Sequence, residues 1–362
     1  MQIITSNVTK QILHSTCRRT QNDGLHMPNL IKKVQNTIFQ HNLFPRGSKI
    51  IIACSGGPDS TALLDILSKL KKKYALELAI AHVNYNLRGF DSQKDEDFVK
   101  KLSKKCNIPI FVYNFNTVET RFITSGQKSK KTQLITSLQK NISEDFLRKI
   151  RYDFFEKTRK EQGFDYIAVG HTLDDQVETF LMRVIRGSGL AGLSSISYKN
   201  NRIIRPLLNI PKAELINYLE TNKLSYQTDK TNLESEYLRN KIRNQLIPYL
   251  EKNFNSGIKK TIFDATESIR EDFDLIENVS KKEIQKNKIL SAKKLLLLHP
   301  SLQKQILLNS ILEKKGDLRD IESAHIRELL KIIKSTKNKA QVVLFQGLKV
   351  TRNGDKLRIE NN

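Results

Sequence analysis

The chain reads as an α/β domain, a mostly parallel sheet with helices on both faces, followed by a smaller, mainly helical domain. Three observations predict it. Short β-branched runs alternate with amphipathic runs of helical period between residues 28 and 225. The first such run passes through a glycine pair straight into a helix, the layout of repeated right-handed crossovers. From about residue 230 the alternation stops and helical periodicity takes over. The length of 362 residues suits two domains.

The elements follow in order. SKIIIAC (48–54) is a buried strand, short, β-branched and bounded by a turn. STALLDILSKLKKKY places Leu63, Leu64, Leu67 and Leu70 on one helical stripe. LELAIAHVNY (76–85) is a second strand. DSQKDEDFVKKLSKKCN (91–107) is a helix opened by Asp91 or Ser92, with acids in its first turn. IPIFVYNF is a third strand. EDFLRKIRYDFFEKTRKEQG is a helix stopped by Gly163, FDYIAVGH a fourth strand, and DDQVETFLMRVIRG a helix ending at Gly187. Residues 119–143 are polar and basic with little period, a long insertion rather than an element. Beyond 230, four helical stretches lead to a terminal hairpin around Asn353-Gly354. The expected organisation is an extension over 1–27, a catalytic domain over 28–225 and a mainly helical domain over 230–362.

Composition narrows the function. Apolar residues make up 38% of the chain, enough for a core, and no run approaches the ~18 residues of a membrane span. Lys and Arg outnumber Asp and Glu by 62 to 38, a formal charge of +24. An AT-rich genome inflates lysine, yet such an excess points to a polyanion, nucleic acid ahead of a membrane surface. Cys17, Cys54 and Cys106 are scattered with no C-x-x-C, against a disulfide framework or structural zinc and in keeping with a reducing compartment. Residues 1–22 contain no acid and include Arg18 and Arg19, which is leader-like; Met27 also begins a plausible start. The extension therefore reads as disordered or leader-like.

Two stretches carry the chemistry. In Ser55-Gly56-Gly57-Pro58-Asp59-Ser60, the glycines let backbone N–H groups converge on an anion at a helix N-terminus, and the serines add donors. No G-x-x-x-x-G-K-[ST] exists, so this is not a Walker loop. A plain capped turn is the competing reading. In GHTLDDQVETF (170–180), His171 follows the fourth strand, and Asp175 and Glu178 share a helix face. They could hold a cation, either a metal or a substrate ammonium; helix capping by Asp174 and Asp175 competes. GSGLAG (187–192) matches a dinucleotide fingerprint but follows a helix, so its glycines end that helix. His82, Asn84 and Arg88 lie at the end of the second strand, and Arg148 and Arg151 share a helix face from which either could reach a phosphate. In YLRNKIRN, Arg239 and Arg243 share a face beside Lys241, a basic stripe suited to RNA phosphates or simply solvated.

Taken together, SGGPDS, HVNYNLRG, GHTLDDQVET, RGSGLAGL, RPLL (205–208) and TDKTN…YLRNKIRNQLIP (228–248) closely resemble the tRNA(Ile)-lysidine synthase family of the N-type ATP pyrophosphatases, over roughly residues 45–250. The family usually has a second histidine where Tyr85 stands. The resemblance implies an adenine nucleotide alpha hydrolase-like fold. It implies ATP as co-substrate, bound by Ser55, Gly56, Gly57, Pro58, Asp59 and Ser60, with Mg²⁺ on Asp59. It also implies lysine held by His171, Asp175 and Glu178, and catalytic roles for Asp59 and Arg148. The partners would be an isoleucine tRNA with a CAU anticodon, gripped through Arg239, Lys241 and Arg243, and free L-lysine. No membrane partner is implied, the location would be the bacterial cytoplasm or an organelle, and the oligomeric state, a homodimer included, stays open. A pyrophosphate-loop tRNA thiolase and a non-catalytic RNA-binding relative are the alternatives.

Overall fold

The computed structural model describes residues 30–87, 90–115, 144–227, 238–286, 290–337 and 339–362. The N-terminal extension, Arg88, the 119–143 insertion and residues 228–237 lie outside the described residues.

β1 (Lys49–Ala53) is the centre from which the first layer grows. Ile50, Ile51 and Ile52 are fully buried, so both of its faces are covered, as a run of consecutive isoleucines requires. Around it lie α2 (Pro58–Tyr74), β2 (Glu77–Asn84), α3 (Phe90–Cys106) and β3 (Ile110–Asn114). α4 (Glu144–Glu161), β4 (Tyr166–Ala168), α5 (Leu173–Ile185) and the single turn α6 (Leu190–Leu193) follow. The six-stranded order is β3-β2-β1-β4-β6-β5, with β5 (Lys199–Asn200) and β6 (Ile203–Ile204) added at one edge. All neighbours are parallel except β5 and β6. The expected sheet is therefore present, and these two short edge strands were not anticipated.

The two faces have different covers. Ile50 and Ile52 pack with α2 and with α1 (Leu30–Gln40), whose Val34 and Ile38 are buried. A Lys33–Glu214 pair at 2.8 Å ties α1 to α7 (Lys212–Thr221). Ile51 faces the other way, onto Phe155 of α4 and Phe164. The chain leaves β1 for β2 on one side and returns to β4 on the other. This reversal opens a crevice at the carboxyl ends of β1 and β4, where open α/β sheets bind ligands.

The C-terminal part begins with α8 (Leu238–Lys241), a π-helical turn (Ile242–Leu246) and α9 (Ile247–Asn253). Pro248 explains the π turn: its ring crowds the carbonyl one turn back, and the Ile247 N–H reaches Ile242 O instead. These helices and α10 (Ile258–Lys286) share a core with α5, made of Leu173, Val177, Ile242, Ile247, Ile262 and Phe263.

A separate core joins α11 (Ala292–Leu296), α12 (Pro300–Lys315) and α13 (Ser323–Lys334) to a small sheet. That sheet is larger than the expected hairpin. It has four antiparallel strands, β7 (Leu290–Ser291), β8 (Gln341–Phe345), β9 (Leu348–Asn353) and β10 (Lys356–Asn361), in the order β7-β10-β9-β8. The stretch read as one alternating segment contains β8, a Gln346-Gly347 turn with positive φ at both residues, and β9. The second turn is centred on Gly354-Asp355, one residue later than expected, since Asn353 still pairs with Lys356.

Candidate active site

The crevice is lined by the loop after β1, the ends of β2 and β4, and one face of α4. It encloses a cavity of about 200 Å³ bounded by Ser55, Gly57, Asp59, Tyr85, Arg151, Tyr152, Phe155 and His171, among others.

The loop is held by its own hydroxyls. Ser60 Oγ accepts from Ser55 N at 3.2 Å and donates to Gly57 O at 3.1 Å. Thr61 Oγ1 donates to Gly56 O at 3.2 Å. Gly56 has φ +92, where a side chain would be strained. Gly57 is the N-cap of α2, and no side chain caps the helix, so its first N–H groups remain available to an anion. Gly170 lets β4 approach this terminus: an added Cβ would lie 3.1 Å from Asp59 C and 3.2 Å from Ser60 N.

Asp59 is the acid in this nest. Its Oδ1 is buried without a hydrogen-bond partner, and its Oδ2 lies 3.5 Å from Lys212 Nζ. Burial pushes its pKa up to about 6; Lys212 opposes this, while Asp175 and Asp174 add to it. Lys212, at the start of α7, is thus a lysine beside a phosphate loop that has none of its own. The sequence reading missed it because it comes from a distant element.

The second cluster is assembled as expected but is not open. Thr172 N donates to Asp175 Oδ2 at 2.9 Å, so Asp175 does cap α5, and it also receives Arg239 Nη2 at 2.6 Å. Glu178 is buried and receives Arg239 Nε at 2.7 Å, Arg243 Nε at 2.6 Å and Arg243 Nη2 at 2.8 Å. Burial raises the Asp175 carboxyl, but Arg239, the Thr172 N–H and Arg243 outweigh it and hold it below the usual range. Asp174 accepts from Lys212 N at 2.8 Å and pairs with Lys259. Arg239 and Arg243, expected to face RNA phosphates or solvent, are turned inward onto the acids, while Lys241 is exposed. Nothing in the local pattern YLRNKIRN distinguishes these orientations.

His171 is fixed from behind by Arg205, whose Nε donates to its Nδ1 at 3.0 Å. Of the α4 arginines, Arg151 lines the cavity. Arg148 instead sits over the Tyr152 ring, 5.2 Å from its centroid. Tyr85 lines the cavity and donates to Leu147 O at 3.1 Å, binding the end of β2 to α4. His82 and Asn84 point to the opposite face: His82 Nδ1 lies 2.9 Å from Cys54 O, and Asn84 donates to Glu96 at 2.8 Å. They brace the strand and do not line the cavity. Among the described residues, no three His, Cys, Asp or Glu are grouped to hold a metal ion, and no helix is long and apolar enough to cross a membrane.

Comparison with known proteins agrees with this geometry. A family model described as a PP-loop domain matches residues 27–250. A tRNA(Ile)-lysidine synthase of Clostridioides difficile is 34% identical over 92% of this chain and 71% of its own length. One from Clostridium tetani is 36% identical over 86% of this chain and 65% of its own length. The chain thus spans about two thirds of the length of these relatives. Among solved structures, the U34-tRNA thiolase NcsA of Methanococcus maripaludis matches with a TM-score of 0.50 at 21% identity, over 67% of this chain and 78% of that one, a likeness of fold alone. With a matched PP-loop domain and a third of its residues shared over nine-tenths of its length, the chain belongs to the tRNA(Ile)-lysidine synthase family.

Proposed function

We propose that this chain joins free L-lysine to C2 of the wobble cytidine in an isoleucine tRNA with a CAU anticodon, converting ATP to AMP and diphosphate. The change would move codon reading from AUG to AUA. The observation that carries the proposal is the uncapped N-terminus of α2 with the unpartnered Asp59 Oδ1 inside its glycine turn, at the crevice where β1 and β4 end.

The chemistry needs two displacements. The cytidine C2 oxygen attacks the α-phosphate and diphosphate leaves; the lysine amine then attacks C2 and AMP leaves. The free N–H groups of α2, with Arg151 at the cavity and Lys212 beside Asp59, stabilise the charge that gathers on the departing diphosphate. Mg²⁺ fits Asp59. The ion is commonly held by one or two carboxylates and by phosphate oxygens, and a single acid with a free buried oxygen matches that set. When bound, it would neutralise the phosphates and make an acid tolerable in an anion nest. For lysine, Asp175 and Glu178 are already paired, so an ammonium binds there by exchange with the guanidinium of Arg239 or Arg243.

A thiolase reading is weaker. Cys54 is buried and its pKa is pushed up to about 11, chiefly by burial, so it is a thiol and a poor sulfur carrier. The reaction belongs to a compartment that holds tRNA, ATP and lysine together, the cytoplasm of a bacterial cell or an organelle with its own tRNA. The test is purified protein with ATP, labelled lysine and total tRNA. Label in RNA with matching diphosphate release supports the reading; ATP-dependent sulfur incorporation, or RNA binding without diphosphate release, overturns it.

A further inference from the structure

We propose that Arg205 is a positioning residue that fixes His171 as a neutral imidazole protonated on Nε2, so that His171 offers the cavity an N–H donor and not a lone pair. The argument begins with donor and acceptor types. A guanidinium has five N–H donors, no acceptor, and keeps its charge. Arg205 Nε donates to His171 Nδ1 at 3.0 Å, so Nδ1 must present its lone pair. An imidazolium, which carries protons on both nitrogens, cannot make this contact, and the neutral ring must then carry its proton on Nε2.

Arg205 is well placed to enforce this. It is buried, its backbone N donates to Tyr198 O at 2.9 Å and its Nη1 donates to Ser197 O at 2.8 Å. With its charge fixed and its side chain anchored, the histidine has to adapt. The charged groups facing His171 are Asp175 from α5, Arg205 beyond β6, Arg148 from α4 and Arg239 from α8. Burial lowers the His171 pKa to about 4; Asp175 opposes, and the three arginines add to the fall. The ring is therefore neutral at physiological pH.

The consequence concerns which substrate His171 serves. An Nε2–H cannot accept a hydrogen bond from an ammonium, so His171 leaves the lysine-binding set implied by the sequence. The ring lines the same cavity as Gly57 and Asp59, and Nε2 is its remaining polar atom. It suits an anionic phosphate oxygen of ATP or of the adenylated nucleotide, an assignment that rests on the reaction proposed above.

The test uses the full chain with ¹⁵N-labelled histidine. Long-range NMR distinguishes a protonated from an unprotonated ring nitrogen, and His171→Gln assigns the signals by their loss. The expected result is an unprotonated Nδ1 and a protonated Nε2, unchanged between about pH 8 and pH 5.5, where an ordinary histidine titrates. ATP should shift the Nε2–H signal. Arg205→Lys should keep the tautomer, whereas Arg205→Met should give both tautomers and a titration moved towards the ordinary range. His171→Leu should slow diphosphate release about 10²–10³-fold, the usual loss for one such donor, and His171→Gln, which restores an N–H near the same place, should lose much less. An Nδ1–H tautomer in the wild-type spectrum, or titration within that pH range, overturns the proposal even if Arg205→Met fails to fold. An Nε2–H signal that ignores ATP overturns the phosphate role. If the tautomer is as expected but no lysine enters tRNA, the reaction reading fails and the lock stands.

Discussion

Asp59 holds its proton higher up the pH scale than an ordinary aspartate, near 6, because its burial outweighs the help of Lys212. A raised acid works against the fold. The native state keeps a proton that the unfolded chain has lost, so this residue's contribution to stability falls as pH rises from about 4 to about 6. Asp59→Asn should abolish diphosphate release and yet raise the melting temperature in chelator above pH 6, by a stabilisation of about 1–2 kcal/mol after allowance for partial solvation. Thermal melts of both proteins at pH 4.5 and pH 7.5 check it: the gap should open with pH, and a variant less stable at pH 7.5 would contradict this account. Gly170→Ala should lower ATP affinity, because its Cβ would press on the Asp59 carbonyl carbon at 3.1 Å and shift the α2 terminus; a nucleotide titration shows this. The loop residues were legible in the sequence because Ser55–Ser60 make the site from one contiguous stretch. Arg151 was legible only as one of two arginines on α4 able to reach a phosphate, and Lys212 and Arg205 were not singled out for the roles their positions suggest, since their proximity comes from strand order and from which side of α4 faces the sheet.

At the level of elements, α8 and the π turn bring two guanidiniums onto one buried carboxylate. Removing one side of such a cluster leaves buried charge uncompensated, at a cost of roughly 3–5 kcal/mol when fully buried. Glu178→Gln should therefore lower the melting temperature clearly, and a change confined to lysine kinetics would speak against this docking role. Arg243→Met tests exchange. If the guanidinium competes with the substrate ammonium, the KM for lysine should fall while the KM for ATP holds; a raised lysine KM would mean that Arg243 helps to build the site. The strands and long helices were readable from period and caps, and Asp175 and Glu178 share a face as the spacing required. What the pattern could not contain was their partner. The same Arg239–Arg243 spacing serves a solvated stripe or a buried clamp, and only the packing of Ile242 and Ile247 against Leu173 and Val177 decides between them. The small sheet was under-read because β7 has two residues, too few to show a period.

Over the whole molecule, the formal charge is +24, of which Arg239 and Arg243 are already paired with Asp175 and Glu178. Neutralising both should leave the salt dependence of tRNA binding nearly unchanged, whereas replacing exposed Lys241 with Gln, if it meets a phosphate, should reduce the slope by ~0.7–0.9. Binding titrations over a salt series separate the two. The two-domain expectation also meets a shared core. Ile262 and Phe263 of α10 pack on α5, and Arg270, over the Tyr198 ring, donates to Ser194 O at 3.2 Å and Ile196 O at 2.8 Å. A protein cut after residue 228 should consequently be poorly soluble or unfolded, and circular dichroism with light scattering would show it. The same packing bears on synthesis. When the ribosome has released the six-stranded sheet, α5 still has a bare apolar flank and two carboxylates without their cations, the last of which, Arg243, follows about forty residues later. At ~5–20 residues per second that interval lasts seconds, a window in which the nascent chain is exposed to chaperones and to its neighbours on the same messenger.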